Sequence, residues 1–137
     1  MRVLVDTNVV LDVLLDRRPH SLDAAHIFRC VEEGRLQGFL CATTVTTIDY
    51  LLLQSLNRSD ARKHLAKLIR LFDIAPVNRA VIEGAMQSRI ADFEDAVLEQ
   101  AAASVGAEAI ITRNAKDFAQ GSINVLDPRQ CLVQLGE

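Results

Sequence analysis

A chain of 137 residues, half of them hydrophobic, is long enough to bury a core of its own, which excludes a disordered tail or a miniprotein that depends on staples. Cys30, Cys41 and Cys131 form an odd set without a CxxC spacing, which excludes a disulfide framework and points to a reducing cytoplasm. With 15 basic against 18 acidic residues the net charge is −3, so any nucleic-acid binding has to come from local basic groups.

Strand and helix signals alternate along the chain. Arg2 to Val5 is apolar and β-branched and predicts a first strand, and Asp6-Thr7-Asn8 is suited to capping a helix over Val9 to Leu15. Asp16 to His20 interrupts that helix, and Ser21 caps a second one ending near Gly34. Gly38 to Ala42 predicts a short buried strand. Thr43 and Thr44 cap a third helix through Leu56, and Asn57 to Asp60 separates it from an amphipathic helix ending near Leu71. Phe72 to Val77 predicts strand three, and Asn78 caps a helix to about Gln87. Asp92 or Phe93 opens another that stops at Gly106, the residue type expected just past a helix end. Ala109 to Thr112 and Ile123 to Leu126 are the remaining strands, and Asp127-Pro128 opens a last helix through Leu135. No repeat, linker or low-complexity tract breaks this order. The expectation is one α/β domain over residues 1–137, with a mainly parallel sheet covered by helices on both faces. The apolar run after Met1 is too short for a signal peptide, and no segment approaches the ~20 apolar residues of a membrane span, so a soluble, cytoplasmic protein is expected.

Acidic residues carry the chemistry. Asp6, Asp49, the group Asp92-Phe93-Glu94-Asp95, and Asp117 each lie where an apolar run ends or a helix begins. In a parallel sheet the strand ends and the following helix starts share one edge, where the sites of open α/β folds form. Carboxylates brought together there raise one another's pKa unless a cation compensates, so a metal-dependent hydrolytic site is the leading reading. Each acid also has an ordinary explanation: a helix cap for Asp6, a dipole partner for Asp95, a turn for Asp117. Asp49 falls inside the apolar stretch Val45 to Leu53, where it either marks the wet side of its helix or needs a partner. His20, His26 and His64 show no metal-ligand spacing, and no serine or cysteine sits in a nucleophile motif.

Three segments together resemble the PIN domain family of ribonucleases, and in particular the VapC-type toxins of toxin–antitoxin pairs. They are Val3-Leu4-Val5-Asp6-Thr7-Asn8-Val9-Val10-Leu11-Asp12, then Asp95-Ala96 with the alanine-rich helix to Gly106, then Ile111-Thr112-Arg113-Asn114-Ala115-Lys116-Asp117-Phe118. The resemblance implies a three-layer α/β/α domain whose acidic quartet binds Mg²⁺ or Mn²⁺ and cleaves RNA. It also implies self-association, as a homodimer, and a small antitoxin partner. Asp6, Asp95 and Asp117 occupy the family's first, third and fourth acidic positions. At the second, Thr44-Val45-Thr46-Thr47 puts threonine where many members carry Glu, and Asp49 follows two residues later. Two residues turn a helix through ~200°, so Asp49 replaces that Glu only with a register change; otherwise Asp92 or Glu94 supplies the charge. Asn8, Thr112 and Asn114 are the expected orienting groups around the ligands, by analogy with metal sites generally.

Substrate phosphates would fall to Arg17, Arg18, Arg113 and Lys116, near the proposed site. Arg58, Arg62, Lys63, Lys67 and Arg70 form a second basic stripe, which reads first as a solvated helix face. A response-regulator receiver would need an acceptor Asp ending strand three, where this chain has Ile74-Ala75-Pro76. A haloacid-dehalogenase-like phosphatase would need Asp-x-Asp, and Asp6-Thr7-Asn8 lacks the second Asp. The remaining alternative is a PIN-like domain with weakened metal affinity that acts as an RNA- or protein-binding module.

Overall fold

A computed structural model describes residues Met1–Glu137. Its elements run β1 (Arg2–Val5), α1 (Thr7–Leu14), α2 (His20–Glu32), β2 (Gln37–Cys41), α3 (Ala42–Leu52), α4 (Arg58–Leu71), β3 (Asp73–Ala75), α5 (Arg79–Met86), α6 (Phe93–Ser104), β4 (Ala109–Ile111), a 3-10 turn (Ala115–Phe118), β5 (Val125–Leu126) and α7 (Pro128–Gln134). All strand pairs are parallel, in the order β3-β2-β1-β4-β5.

Period-two alternation along the strands divides the core into two layers. Val3, Val5, Leu40 and Ile111 pack on one face with the buried sides of α1 to α4 and α7. Leu4, Phe39, Cys41 and Ile110 pack on the other, beneath α5 and α6. The molecule is therefore a three-layer α/β/α sandwich. No helix is long and apolar enough to cross a membrane.

Several boundaries differ from those expected, each for a local reason. Helix α1 begins at Thr7 because Asp6 itself is the cap, its Oδ1 accepting from the Thr7 N–H at 2.7 Å. Strand β3 ends at Ala75 because Pro76 has no N–H to offer the ladder. It also starts one residue late, because the Phe72 N–H is still bonded to Leu68 O of α4. Strand β4 ends at Ile111, although the Thr112 N–H still bonds Leu126 O at 3.0 Å while its side chain donates to Asp6. Helix α3 opens at Ala42, directly from β2, and closes at Leu52, four residues before the expected end.

Gly38 illustrates how tightly the first layer closes. A Cβ there would lie 2.7 Å from Cδ1 of Phe72 and 3.0 Å from Cγ2 of Val31. Phe72 is 3% exposed and sits edge-on to Phe28, so it has little room to give. Gly38→Ala is expected to destabilise the fold by about 1–3 kcal/mol through overpacking; a urea midpoint equal to wild type would contradict this packing account.

Candidate metal centre

β1 lies between β2 and β4, and the chain leaves it toward β2 but returns to β4 from the far side. The strand order therefore switches direction at the β1–β4 pair, and a crevice opens beyond their C-terminal ends. Asp6 follows β1 directly, and its N–H is bonded to Ile111 O of β4 at 2.9 Å. The carboxylate is 9% exposed, and three donors hold it. Oδ1 caps α1, while Oδ2 accepts from Thr112 Oγ1 at 2.8 Å and Asn8 Nδ2 at 3.3 Å. Thr112 Oγ1 in turn accepts from Asn8 Nδ2 and from the Asn114 N–H, both at 3.1 Å. Asn8 and Thr112 thus act on Asp6 through their side chains, and Asn114 acts through its backbone.

Helix α6 delivers the next acids from the opposite layer. Asp92 is its N-cap, with Oδ1 accepting from the Asp95 N–H at 3.0 Å. This leaves Asp95 and Glu94 in the first turn. Asp117 belongs to the 3-10 turn after β4, which the buried Phe118 anchors in the core and which leaves Asp117 exposed. Asp92, Asp95 and Asp117 line one cleft with Arg89, Lys116 and Gln120.

Asp95 and Asp6 both feel the charges of the other acids. Burial pushes the Asp95 carboxyl up to about 7, and the charges of Asp92, Asp6, Asp117 and Glu94 add to it. Asp6 is raised mainly by burial and also by Asp117, against the lowering effect of its bonds to Thr112 and Thr7. Close carboxylates with raised pKa values are short of a cation. Their donors are all hard oxygens, the set that suits a small divalent ion.

Asp49 is not drawn into this group. Helix α3 meets the start of α1 through the buried Thr44, whose Oγ1 accepts from Thr7 Oγ1 at 3.3 Å. Asp49 is five residues further on, about 140° around the helix. One of its oxygens, Oδ1, is enclosed without a hydrogen-bond partner, and its charge is not among those acting on Asp6 or Asp95. The basic residues are also redistributed: Arg17 and Arg113 both face Asp12, a carboxylate with 0% exposure. Asp12 was not singled out in the sequence, although an acid four residues after Asn8 in an otherwise apolar run is a readable signal. The second unforeseen acid is Glu99, 4% exposed, whose Oε2 accepts from the Ser122 N–H at 3.1 Å and secures the loop after the Asp117 turn.

The profile of the PIN domain family matches residues 2–116, and the chain belongs to that family. It is 24% identical over 130 residues to Ribonuclease VapC1 of Aquifex aeolicus, an alignment covering 91% of this chain and 89% of that protein. Its fold is similar to that of a toxin–antitoxin complex chain from Klebsiella pneumoniae, with a TM-score of 0.70, 25% identity and coverage of 92% and 97% of the two chains. A chain of VapBC2 from Rickettsia felis, a complex solved on a DNA fragment from its promoter, gives a TM-score of 0.73 at 12% identity over 93% and 98%.

Proposed function

We propose that this protein is a divalent-metal-dependent endoribonuclease and the toxin of a toxin–antitoxin pair, working with Mg²⁺ or Mn²⁺ in the cytoplasm. What supports the reading is that acids from three separate segments and both helical layers face the β1–β4 crevice, the charges of Asp6 and Asp117 both raising the Asp95 carboxyl and that of Asp117 raising Asp6. The ribonuclease and toxin–antitoxin identities of the relatives support the substrate and the partner.

In this reading Asp6, Asp95 and Asp117 hold the ion, and Asp92 completes the acidic set in place of the missing second-position glutamate. A hard divalent ion supplies an activated water and charge neutralisation at the scissile phosphodiester. Asn8 and Thr112 hold Asp6 correctly turned, and the Thr112 bond favours its charged form against the effect of burial. Lys116, on the rim of the same cleft, draws the phosphate backbone toward the acids. A homodimer and a bound antitoxin are part of the proposal, checked by sedimentation with and without the product of an adjacent antitoxin gene.

Cleavage of a generic single-stranded RNA that depends on added Mn²⁺ tests the enzyme reading. RNA binding without cleavage at any Mg²⁺ or Mn²⁺ concentration would favour the binding-module alternative. The second acidic position has its own expected outcome. Asp92→Asn should lower Mn²⁺-dependent cleavage by about 10-fold or more, whereas Asp49→Asn, at a carboxylate outside the acidic group, should leave it near wild type. A dead Asp49 variant beside an active Asp92 variant would reverse this assignment.

A further inference from the structure

We propose that Arg113, held by Asp12, positions the substrate by taking a phosphate oxygen of the RNA strand that crosses the crevice; this rests on the ribonuclease reading above. Asp12 has no exposed surface, and a carboxylate buried to that degree is costly unless it is paired. Its partner is a two-point fork: Arg113 Nε donates to Oδ2 at 2.6 Å and Nη2 to Oδ1 at 3.1 Å. Arg17 adds a second guanidinium, with Nε 2.9 Å from Oδ1, close but not aligned as a hydrogen bond. One carboxylate therefore faces two fixed cations, which leaves positive charge beside a cluster of acids that would otherwise repel a phosphate strand.

The fork is also tied to the acidic site. The Arg113 N–H donates to Asn8 Oδ1 at 3.2 Å, and Arg17 Nη2 donates to Asn8 O at 3.2 Å. Asn8 Nδ2 is the group bonded to Asp6 and Thr112. Asp12 engages only the inner edge of the Arg113 guanidinium. Nη1 makes no protein hydrogen bond, the side chain is 29% exposed, and it opens onto a polar groove lined also by His20, Asp23, Asp127 and Arg129, of which Arg129 is paired with Asp23. The pairing with Asp12 fixes the plane of the guanidinium and leaves its outer N–H groups free to donate to a phosphate. Asp12 is then a positioning residue that acts through Arg113.

The test is binding of a single-stranded RNA oligonucleotide in EDTA, where cleavage cannot intervene, followed by fluorescence anisotropy over a range of salt. Arg113→Gln should bind about 10-fold more weakly, and its slope of log affinity against log salt should fall by ~0.7. Arg113→Lys keeps the charge without the fork, so it should keep the slope and recover the affinity only in part. Asp12→Asn keeps both guanidinium charges but loosens the fork, so in a protein whose fold is confirmed by its circular dichroism the salt slope should persist while the RNA affinity falls part of the way toward that of Arg113→Gln. Wild-type affinity and slope in a folded Arg113→Gln protein, or no RNA binding by the wild type, would overturn the proposal. If Arg113→Gln does not fold, wild-type affinity and kcat in Arg113→Lys would overturn it equally. Arg113-dependent binding by a wild type that never cleaves RNA would instead count against the ribonuclease reading alone.

Discussion

Asp6→Asn is expected to lower Mn²⁺-dependent RNA cleavage by more than about 100-fold, beyond the 10–100-fold usual for groups that only orient a ligand. The amide is nearly isosteric and its Oδ1 can keep the bond from the Thr7 N–H, so the cap of α1 and the fold should persist, while its NH2 end can no longer accept the bonds that Oδ2 takes from Thr112 and Asn8. What it removes is the charge at the centre of the crevice. The check is single-turnover cleavage beside a thermal melt: lost activity at an unchanged melting temperature assigns the defect to the site. Residual activity within a few-fold of wild type would show that Asp6 is a helix cap and nothing more.

The second large effect concerns the metal-free protein. Asp95 titrates near 3.8 when unfolded and near 7 in the fold, so the folded state binds its proton more tightly. Its contribution to stability is therefore fully present below about pH 4 and is lost as the pH rises toward 7. Asp95 is only part-buried, and solvent screening reduces the effect to roughly 1–2 kcal/mol. In EDTA, Asp95→Asn should accordingly be more stable than wild type at pH 8 by about that amount, with the difference gone at pH 4. Glu137, lowered to about 2 chiefly by its bonds to Arg35 and His26, has the opposite sign and loses its contribution only in the acid range. Added Mn²⁺ should raise the wild-type melting temperature at pH 8 and leave that of Asp95→Asn unmoved, since only a protein with an intact site gains by binding. A destabilised Asp95→Asn protein at pH 8 would show that the carboxylate is not under electrostatic strain.

Such strain is usual where function has been bought with stability, and it explains how the local elements could be read more easily than the site. Helix caps at Asn78, Asp92 and Asp127 are interactions over three residues and so are written directly in the chain, whereas the same device at Asn57 starts α4 at Arg58, inside the segment expected to separate two helices. The order of strands and helices and the two-faced burial of the sheet follow in the same way from β-branched runs and apolar periodicity. Where a local pattern misleads, a neighbour in space has overridden it, as when Thr44 and not Asp49 meets the start of α1.

The sequence by itself determined the alternating α/β layout, the acids that follow β1 and β4, and the departure from the expected glutamate at Thr47, because each is a matter of residue type and short spacing. Only the tertiary structure decided which acids meet. The strand order set β1 beside β4, Thr44 rather than Asp49 turned toward α1, and Asp12 was enclosed with Arg17 and Arg113. The physical reason is that burial and charge pairing depend on what lies across 100 residues of chain, as Asp12 and Arg113 do at a separation of 101, and no local spacing encodes that.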